Sequence, residues 1–187
     1  MIFITIEAFD EAIYAWQNFY MLAGSAAATL LGLIFVATSL HIDIIAKAEK
    51  SADIRMMANW AFINFILILS FAFIFLIPEQ NPIGIGVPLL ILGAFELART
   101  IRLWQKFGFM NKSKERIFET GQMRSSLLIP NTICYLALIY VASTIIQGDV
   151  SRLGWMVLVI IYLVISATSN SWSLMMRLAE IRAESKK

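Results

Sequence analysis

A charge-free stretch near the N-terminus decides the fold class. Residues 12–42, AIYAWQNFYMLAGSAAATLLGLIFVATSLHI, contain no Asp, Glu, Lys or Arg. About 20 consecutive apolar residues cross a hydrocarbon core of about 30 Å, so this stretch predicts a transmembrane helix. The whole chain agrees, because 59% of its 187 residues are hydrophobic and its mean hydropathy is +0.75. Such a composition is not that of a soluble domain, and it predicts an all-α, polytopic membrane helix bundle.

Five apolar segments predict five spans in a single membrane domain covering residues 1–187. They are Phe19–Leu40, Met56–Ile77, Pro82–Leu103, Leu127–Gln147 and Leu153–Leu174. The third is the weakest, because Glu79 and Glu96 shorten its charge-free core and NPIGIGVP (81–88) places helix breakers at its start. That start predicts either a bend or late helix start, or a broken helix lining a cavity. Ahead of the first span, residues 1–16 predict a short amphipathic lead-in at the membrane surface, not a cleaved signal peptide.

The basic residues predict the orientation. With five spans, 14 of the 15 Lys and Arg residues fall on one side of the membrane and only Arg152 on the other. Positive charge accumulates in short cytoplasmic loops, so we expect the N-terminus outside and the C-terminus in the cytoplasm. If the third segment did not cross the membrane, the basic residues at its end and in the following loop would lie on the same side as the N-terminus. The chain before the first span has no Lys or Arg, so the charge asymmetry favours five spans.

One sizeable cytoplasmic loop, residues 104–126, is basic and alternates aromatic with basic side chains. It predicts either a short interfacial helix against anionic lipid headgroups or an ordinary positive loop. The same basic face could dock a protein partner.

Polar residues inside the spans are candidate functional groups, because ionisable side chains are expensive in hydrocarbon. Glu96 is the clearest case, and Arg99, one helical turn later, can pair with it. Amides and hydroxyls in other spans lie at similar depth: Asn59, Asn64, Asn131, Ser166, Ser169, Asn170 and Ser173. Together they predict a polar vestibule or ion pathway. The alternatives are an ion pair that only holds a helix end, and hydroxyls that bond back to their own helix carbonyls.

Small residues form a stripe on the first span. Its members are Gly24, Ser25, Ala28, Thr29 and Gly32. Spacing by four lets helix backbones approach closely. The stripe predicts packing against a helix of the same subunit or, alternatively, an interface around a symmetry axis that leaves a narrow pore.

Catalytic chemistry is not expected. One cysteine, Cys134, and one histidine cannot form a Cys/His metal cluster, and the chain has no phosphate loop, no HExxH motif and no nucleophile with a base. The sequence therefore predicts neither an enzyme nor a metal site, cofactor or nucleic-acid partner.

The stretch WQNFYMLAGSAAATLLGLIFVATSLHID, residues 16–43, resembles the first span of small bacterial inner-membrane proteins, some of which are labelled modulators of the FtsH protease. The resemblance implies a bacterial inner-membrane location and a regulatory role, and it transfers no functional residues.

Two functions remain. The first is a homo-oligomeric channel or transport pore with a polar cytoplasmic vestibule. The second is a non-conducting regulatory or scaffold subunit of a membrane complex.

Overall fold

The chain is helical over the residues that the structure, a computed structural model, describes: 6–42, 51–78, 81–110 and 128–184. The helices are α1 (Ile6–Leu40), α2 (Ser51–Leu76), α3 (Pro82–Met110), α4 (Ile129–Ile146) and α5 (Gly154–Glu184), with a 3-10 turn at Val150–Arg152. All 5 are long and apolar enough to cross a membrane. The prediction of an all-α membrane protein with five such helices is confirmed. Most of the basic loop 104–126 lies outside the described residues.

Helix α1 begins well before the first predicted span. Its 35 residues extend about 52 Å, far more than a hydrocarbon core of about 30 Å. The lead-in expected as a separate segment is, from Ile6 onward, the first part of this helix. No Gly or Pro lies between Ile6 and Leu22 to interrupt the helix, which explains the difference.

Helix α3 starts with an N-cap. The Asn81 side-chain oxygen accepts a hydrogen bond from the backbone N–H of Gly84 at 2.6 Å, and Pro82 takes the first helical position, where a missing N–H costs nothing. The helix then continues past Pro88 without a break. This geometry agrees with the late-start alternative.

Helix α4 ends where Gly148 adopts a left-handed conformation with φ of 81°. The backbone N–H groups of Gly148 and Asp149 donate to the carbonyls of Ile145 and Thr144, at 2.8 and 3.0 Å, which satisfies the last turn. Asp149 then accepts a hydrogen bond from the backbone N–H of Ser151 at 2.9 Å. The contacts with Ser151 hold the pKa of Asp149 below its usual range.

The chain divides into two compact units, with boundaries within α1, between α2 and α3, and within α5. Unit 1 contains Met1–Tyr14 and Pro78–Val159, and unit 2 contains Ala15–Ile77 and Ile160–Lys187.

In unit 1, α3 and α4 pack as an antiparallel pair. A Cβ on Gly86 would meet the Ala142 carbonyl oxygen at 3.0 Å, and one on Gly93 would meet Leu138 side-chain atoms at 3.3 Å. As α3 advances from Gly86 to Gly93, its contacts on α4 move back by one turn, which defines the antiparallel register. Glycine at both positions permits the close backbone approach that holds helices together in lipid.

In unit 2, α1 and α2 are also antiparallel. The Tyr20 ring stacks on Phe75 with centroids 3.9 Å apart, and a Cβ on Gly24 would meet the Ala72 Cβ at 2.5 Å. Three large apolar side chains of α2 are almost completely buried, namely Phe65, Ile68 and Phe71.

Candidate functional site

Buried polar side chains in the membrane-spanning helices form two clusters, one in each unit. We call Glu96, Arg99, Thr100 and Tyr135 the ion-pair cluster, and it lies in unit 1. We call Asn64, Ser166 and Asn170 the amide cluster, and it lies in unit 2.

Glu96 and Arg99 form a salt bridge deep in α3. The Arg99 Nε and Nη2 atoms lie 2.7 and 2.6 Å from the same carboxylate oxygen of Glu96. Glu96 is only 4% exposed. It lies about 21 Å along the helix from Pro82 and about 13 Å from Gln105, the two ends of the apolar segment. The pair that the sequence predicts is therefore present, and it lies inside the apolar segment, in the half nearer to Gln105.

Thr100 belongs to the same turn of α3. Its hydroxyl donates to the Glu96 backbone carbonyl at 2.9 Å, so it adds no donor to the carboxylate itself.

Tyr135 brings α4 into the ion-pair cluster. Its buried hydroxyl lies close enough to Glu96 and Arg99 to interact with their charges, but it makes no hydrogen bond within the described part of the chain. The α3–α4 register agrees with this position of Tyr135. Before the Glu96–Arg99 turn, Gly93 approaches Leu138. After it, the Trp104 Nε1 donates to the Thr132 hydroxyl at 3.3 Å. The Glu96–Arg99 ion pair on α3 thus lies beside a buried phenol of α4.

The ion-pair cluster meets the requirement for charges in a membrane interior, because they are paired within the protein. Two chemical roles are open to such a pair. The pair can stabilise the α3–α4 contact. Alternatively, if water reaches the pair, the carboxylate or the guanidinium can release the other and bind an ion of opposite charge.

The amide cluster joins α2 to α5 without any charge. The Asn64 Nδ2 donates to the Ser166 hydroxyl at 3.1 Å, and the Asn170 Nδ2 donates to the Ser166 carbonyl at 2.8 Å. Asn64 is completely buried. Its Oδ1 accepts no hydrogen bond within the described part of the chain.

The other predicted polar residues differ in exposure. Asn131 is buried on the same face of α4 as Tyr135, one turn away. Ser173 is half-buried, whereas Asn59 and Ser169 are exposed. The predicted set thus falls into both units: Glu96, Arg99 and Asn131 belong to unit 1 and the others to unit 2.

The small-residue stripe of α1 is mostly open. Gly24 packs against Ala72, but a Cβ on Gly32 would meet nothing within 4 Å. The remaining members, Ser25, Ala28 and Thr29, are exposed as well. Within the described subunit α1 packs through a neighbouring stripe: Tyr20, Gly24, Ala27 and Ile34. Packing inside the subunit therefore accounts for Gly24 alone, and contact with a second copy stays a prediction.

Many span hydroxyls bond to their own helix. Thr29, Ser70 and Ser171 donate to carbonyls four residues earlier, at 2.9, 2.8 and 2.6 Å. The alternative of local back-bonding thus explains these residues. It does not explain Asn64, whose bond crosses to another helix.

The two glycines of α3 that face α4 are not predicted as packing residues from the sequence. Gly86 is interpreted only as a helix breaker, and Gly93 is not singled out. Their spacing of seven, two turns on one helix face, was the available signal.

The fold defines the class of protein: an integral membrane protein with five helices able to span a bilayer. Comparison with family models, with curated proteins and with solved structures finds no match. The described residues contain no group of three or more His, Cys, Asp or Glu side chains that could hold a metal ion.

Proposed function

We propose that the protein is a homo-oligomeric channel or small transport pore whose subunits meet through the small-residue stripe of α1. The observation that carries the proposal is the exposure of Ser25, Ala28, Thr29 and Gly32 in the middle of a charge-free span. Lipid offers helices no hydrophobic reason to associate, so close contact between small residues is the usual basis of association. An exposed face of this kind suits a neighbouring helix better than lipid tails.

A symmetric assembly would supply the pathway. Copies of α1 around an axis would present the hydroxyls of Ser25 and Thr29 to the centre, where the apolar residues further along would form a constriction. The Thr29 hydroxyl donates its hydrogen bond to the Ser25 carbonyl. Its oxygen can therefore accept hydrogen bonds from the water molecules around a hydrated cation.

The subunit contact is tested by adding bulk to the open face. Gly32→Leu should reduce the oligomer mass in mild detergent while the subunit stays folded, because among the described residues nothing beyond its own stretch of helix lies within 4 Å of the new Cβ. Ala94→Leu, an equally small-to-large change at an exposed position of α3, is the matched control and should leave the mass unchanged. A monomeric unsubstituted protein would remove the axial pore.

Conduction is tested with purified protein in vesicles and planar bilayers. We expect ion flux that Gly32→Leu abolishes and Ala94→Leu preserves. If Glu96 faces the pathway, Glu96→Gln should alter ion selectivity; a loss of stability alone would assign it to the ion pair. Absence of conductance at every voltage, pH and lipid composition would contradict the proposal.

A second function has its own support. Glu96 is buried and paired within unit 1, whereas a carboxylate that sets the charge of a vestibule should face water. This observation favours a non-conducting regulatory or scaffold subunit, whose polar clusters hold helices together. Its basic face would then contact anionic headgroups and a protein partner.

The proposed location is the bacterial inner membrane, with the N-terminus outside and the C-terminus in the cytoplasm. The asymmetry of Lys and Arg supports this orientation. Reporter fusions after Gly148 and at the C-terminus should report opposite sides of the membrane, and the same side for both would contradict it.

A further inference from the structure

The amide oxygen of Asn64 is a buried acceptor for which the described residues provide no donor. Leaving such a group unpaired costs about 1–3 kcal/mol, and native proteins satisfy buried polar atoms with protein groups or ordered water. The Asn64 Nδ2 is held on the Ser166 hydroxyl. The oxygen therefore stays in the amide cluster unless that bond breaks.

A polar stripe on α5 leads from the amide cluster to the end of the helix. Ser166, Asn170, Ser173 and Arg177 follow at steps of four, three and four residues, which keeps them on one face. We call these residues the α5 seam. Ser166 and Asn170 are 9% and 7% exposed, while Ser173 and Arg177 are half-buried. The half of the seam that contains Ser173 and Arg177 is thus more accessible than the half that contains Ser166 and Asn170, and Arg177 lies about 16 Å from Ser166 along the axis.

The seam is closed at its inner end. Beyond Ser166 on α5 lie Leu163 and Ile160, and beyond Asn64 on α2 lie Ile68 and Phe71, all of them buried. These side chains offer water no hydrogen bond. Within the described residues of unit 2, polar side chains thus lead to the amide cluster only from the Arg177 end of the seam.

We propose that water enters unit 2 along the α5 seam from the Arg177 end and occupies a site at the amide cluster, donating a hydrogen bond to Asn64 Oδ1. The Ser166 hydroxyl, which accepts from Asn64, supplies a second partner through its own O–H group. Water needs two to four polar partners, which these groups provide. A dehydrated metal cation needs more oxygen ligands than the cluster holds. The proposal concerns unit 2 alone and does not depend on conduction.

Cysteine accessibility in membrane vesicles tests the route. In a full-length Cys134→Ala background, Ser173→Cys and Asn170→Cys are treated with a small charged methanethiosulfonate reagent. The matched controls are Leu163→Cys, beyond the inner end, and Ile165→Cys, which is 62% exposed on another face. Because only the thiolate reacts and it forms in water, the seam positions should react at least about tenfold faster than both controls. Equal, slow rates at all four positions would overturn the route.

A measurement on the unsubstituted protein tests the site itself, so the proposal does not depend on variants that fail to fold. Water-edited solid-state NMR in lipid should show magnetisation transfer from water to the Asn64 side-chain amide. The backbone amide of Ile68, one turn deeper, should receive none. No transfer at Asn64, or equal transfer at Ile68, would overturn the proposal.

Discussion

The two polar clusters differ in how they pair buried polar groups inside the membrane-spanning helices. The ion-pair cluster of unit 1 places a carboxylate and a guanidinium on one helix, beside the buried Tyr135 of the next helix. The amide cluster of unit 2 uses neutral groups only and crosses directly from α2 to α5. In hydrocarbon, a charge that loses its partner costs far more than an amide that loses one. We therefore expect unit 1 to be much less tolerant of single substitutions.

The glycine contacts of the two units differ in a parallel way. Gly86 in unit 1 faces the Ile146 side chain and also two backbone atoms of α4, whereas Gly24 in unit 2 faces only the side chain of Ala72. A side chain can be shortened by substitution but a backbone cannot. A second substitution should thus relieve the clash caused by Gly24→Ala in unit 2, but not the clash caused by Gly86→Ala in unit 1.

The largest effect is expected from Arg99→Leu, which leaves the Glu96 carboxylate buried without its partner. The free energy of unfolding, measured in lipid or mild detergent, should fall by about 3–5 kcal/mol. Glu96→Leu combined with Arg99→Leu should recover most of the loss, because no charge then remains to be paired. Arg102→Leu, at an exposed position of the same helix, is the control. If Arg99→Leu costs no more than Arg102→Leu, the cluster does not stabilise unit 1.

Gly86→Ala should be the next most damaging change. Its Cβ would overlap the Ile146 side chain and would lie 3.0 Å from the Ala142 carbonyl oxygen and 3.1 Å from the Ile146 nitrogen. The side chain can move but the backbone cannot, so the helices must separate, at a cost of about 1–3 kcal/mol. Thermal unfolding measures the loss, which Ile146→Ala should not reverse. Gly154→Ala, where the new Cβ meets nothing within 4 Å, should be neutral or slightly stabilising. Full recovery by Ile146→Ala would show that the side chain, not the backbone, limits the approach.

Gly24→Ala should destabilise unit 2, because its Cβ would lie 2.5 Å from the Ala72 Cβ. Exchanging the two residues, by adding Ala72→Gly, restores the total volume at the contact and should recover most of the stability in the same unfolding measurement. An exchange as unstable as Gly24→Ala alone would contradict the assigned contact.

A smaller effect is expected from breaking the amide cluster. Ser166→Ala should lower the free energy of unfolding by about 0.6 kcal/mol and at most about 1.7 kcal/mol, the range for hydrogen bonds between membrane helices. A double-mutant cycle with Asn64→Ala isolates the coupling between the two residues. Ser169→Ala, at an exposed neighbouring position, should be silent, and a coupling near zero would show that the bond contributes nothing.

The smallest effect is expected at Asp149, a partly exposed carboxylate after the end of α4 that contrasts with the buried Glu96. Because Ser151 lowers the pKa of Asp149, the ionised form stabilises the native turn above about pH 4 and the stabilisation disappears as pH falls through the lowered pKa. Asp149→Asn should therefore reduce the melting temperature slightly at neutral pH and not at all near pH 2. A difference that persists unchanged at low pH would exclude the carboxylate charge as its cause.

Much of this organisation can be predicted from the sequence because it follows from local composition. Charge-free runs define helices, Asn81-Pro82 marks a helix start, and Glu96 and Arg99 are one turn apart on any α-helix. The stripe of α1 shows where such prediction fails. Gly24 and Gly32 share a spacing pattern, yet only Gly24 has a neighbour within 4 Å of its Cβ.

The sequence by itself determined the class of protein, the number of helices able to span a bilayer and the pairing of Glu96 with Arg99, since each depends on residues close together in the chain. Only the tertiary structure decided that Tyr135 joins that pair, that Asn64 bonds to Ser166, and that Gly86 and Gly93 face α4. Those contacts join residues far apart in sequence. Their existence depends on the rotation and register of one helix against another, which side-chain packing sets and hydropathy does not encode.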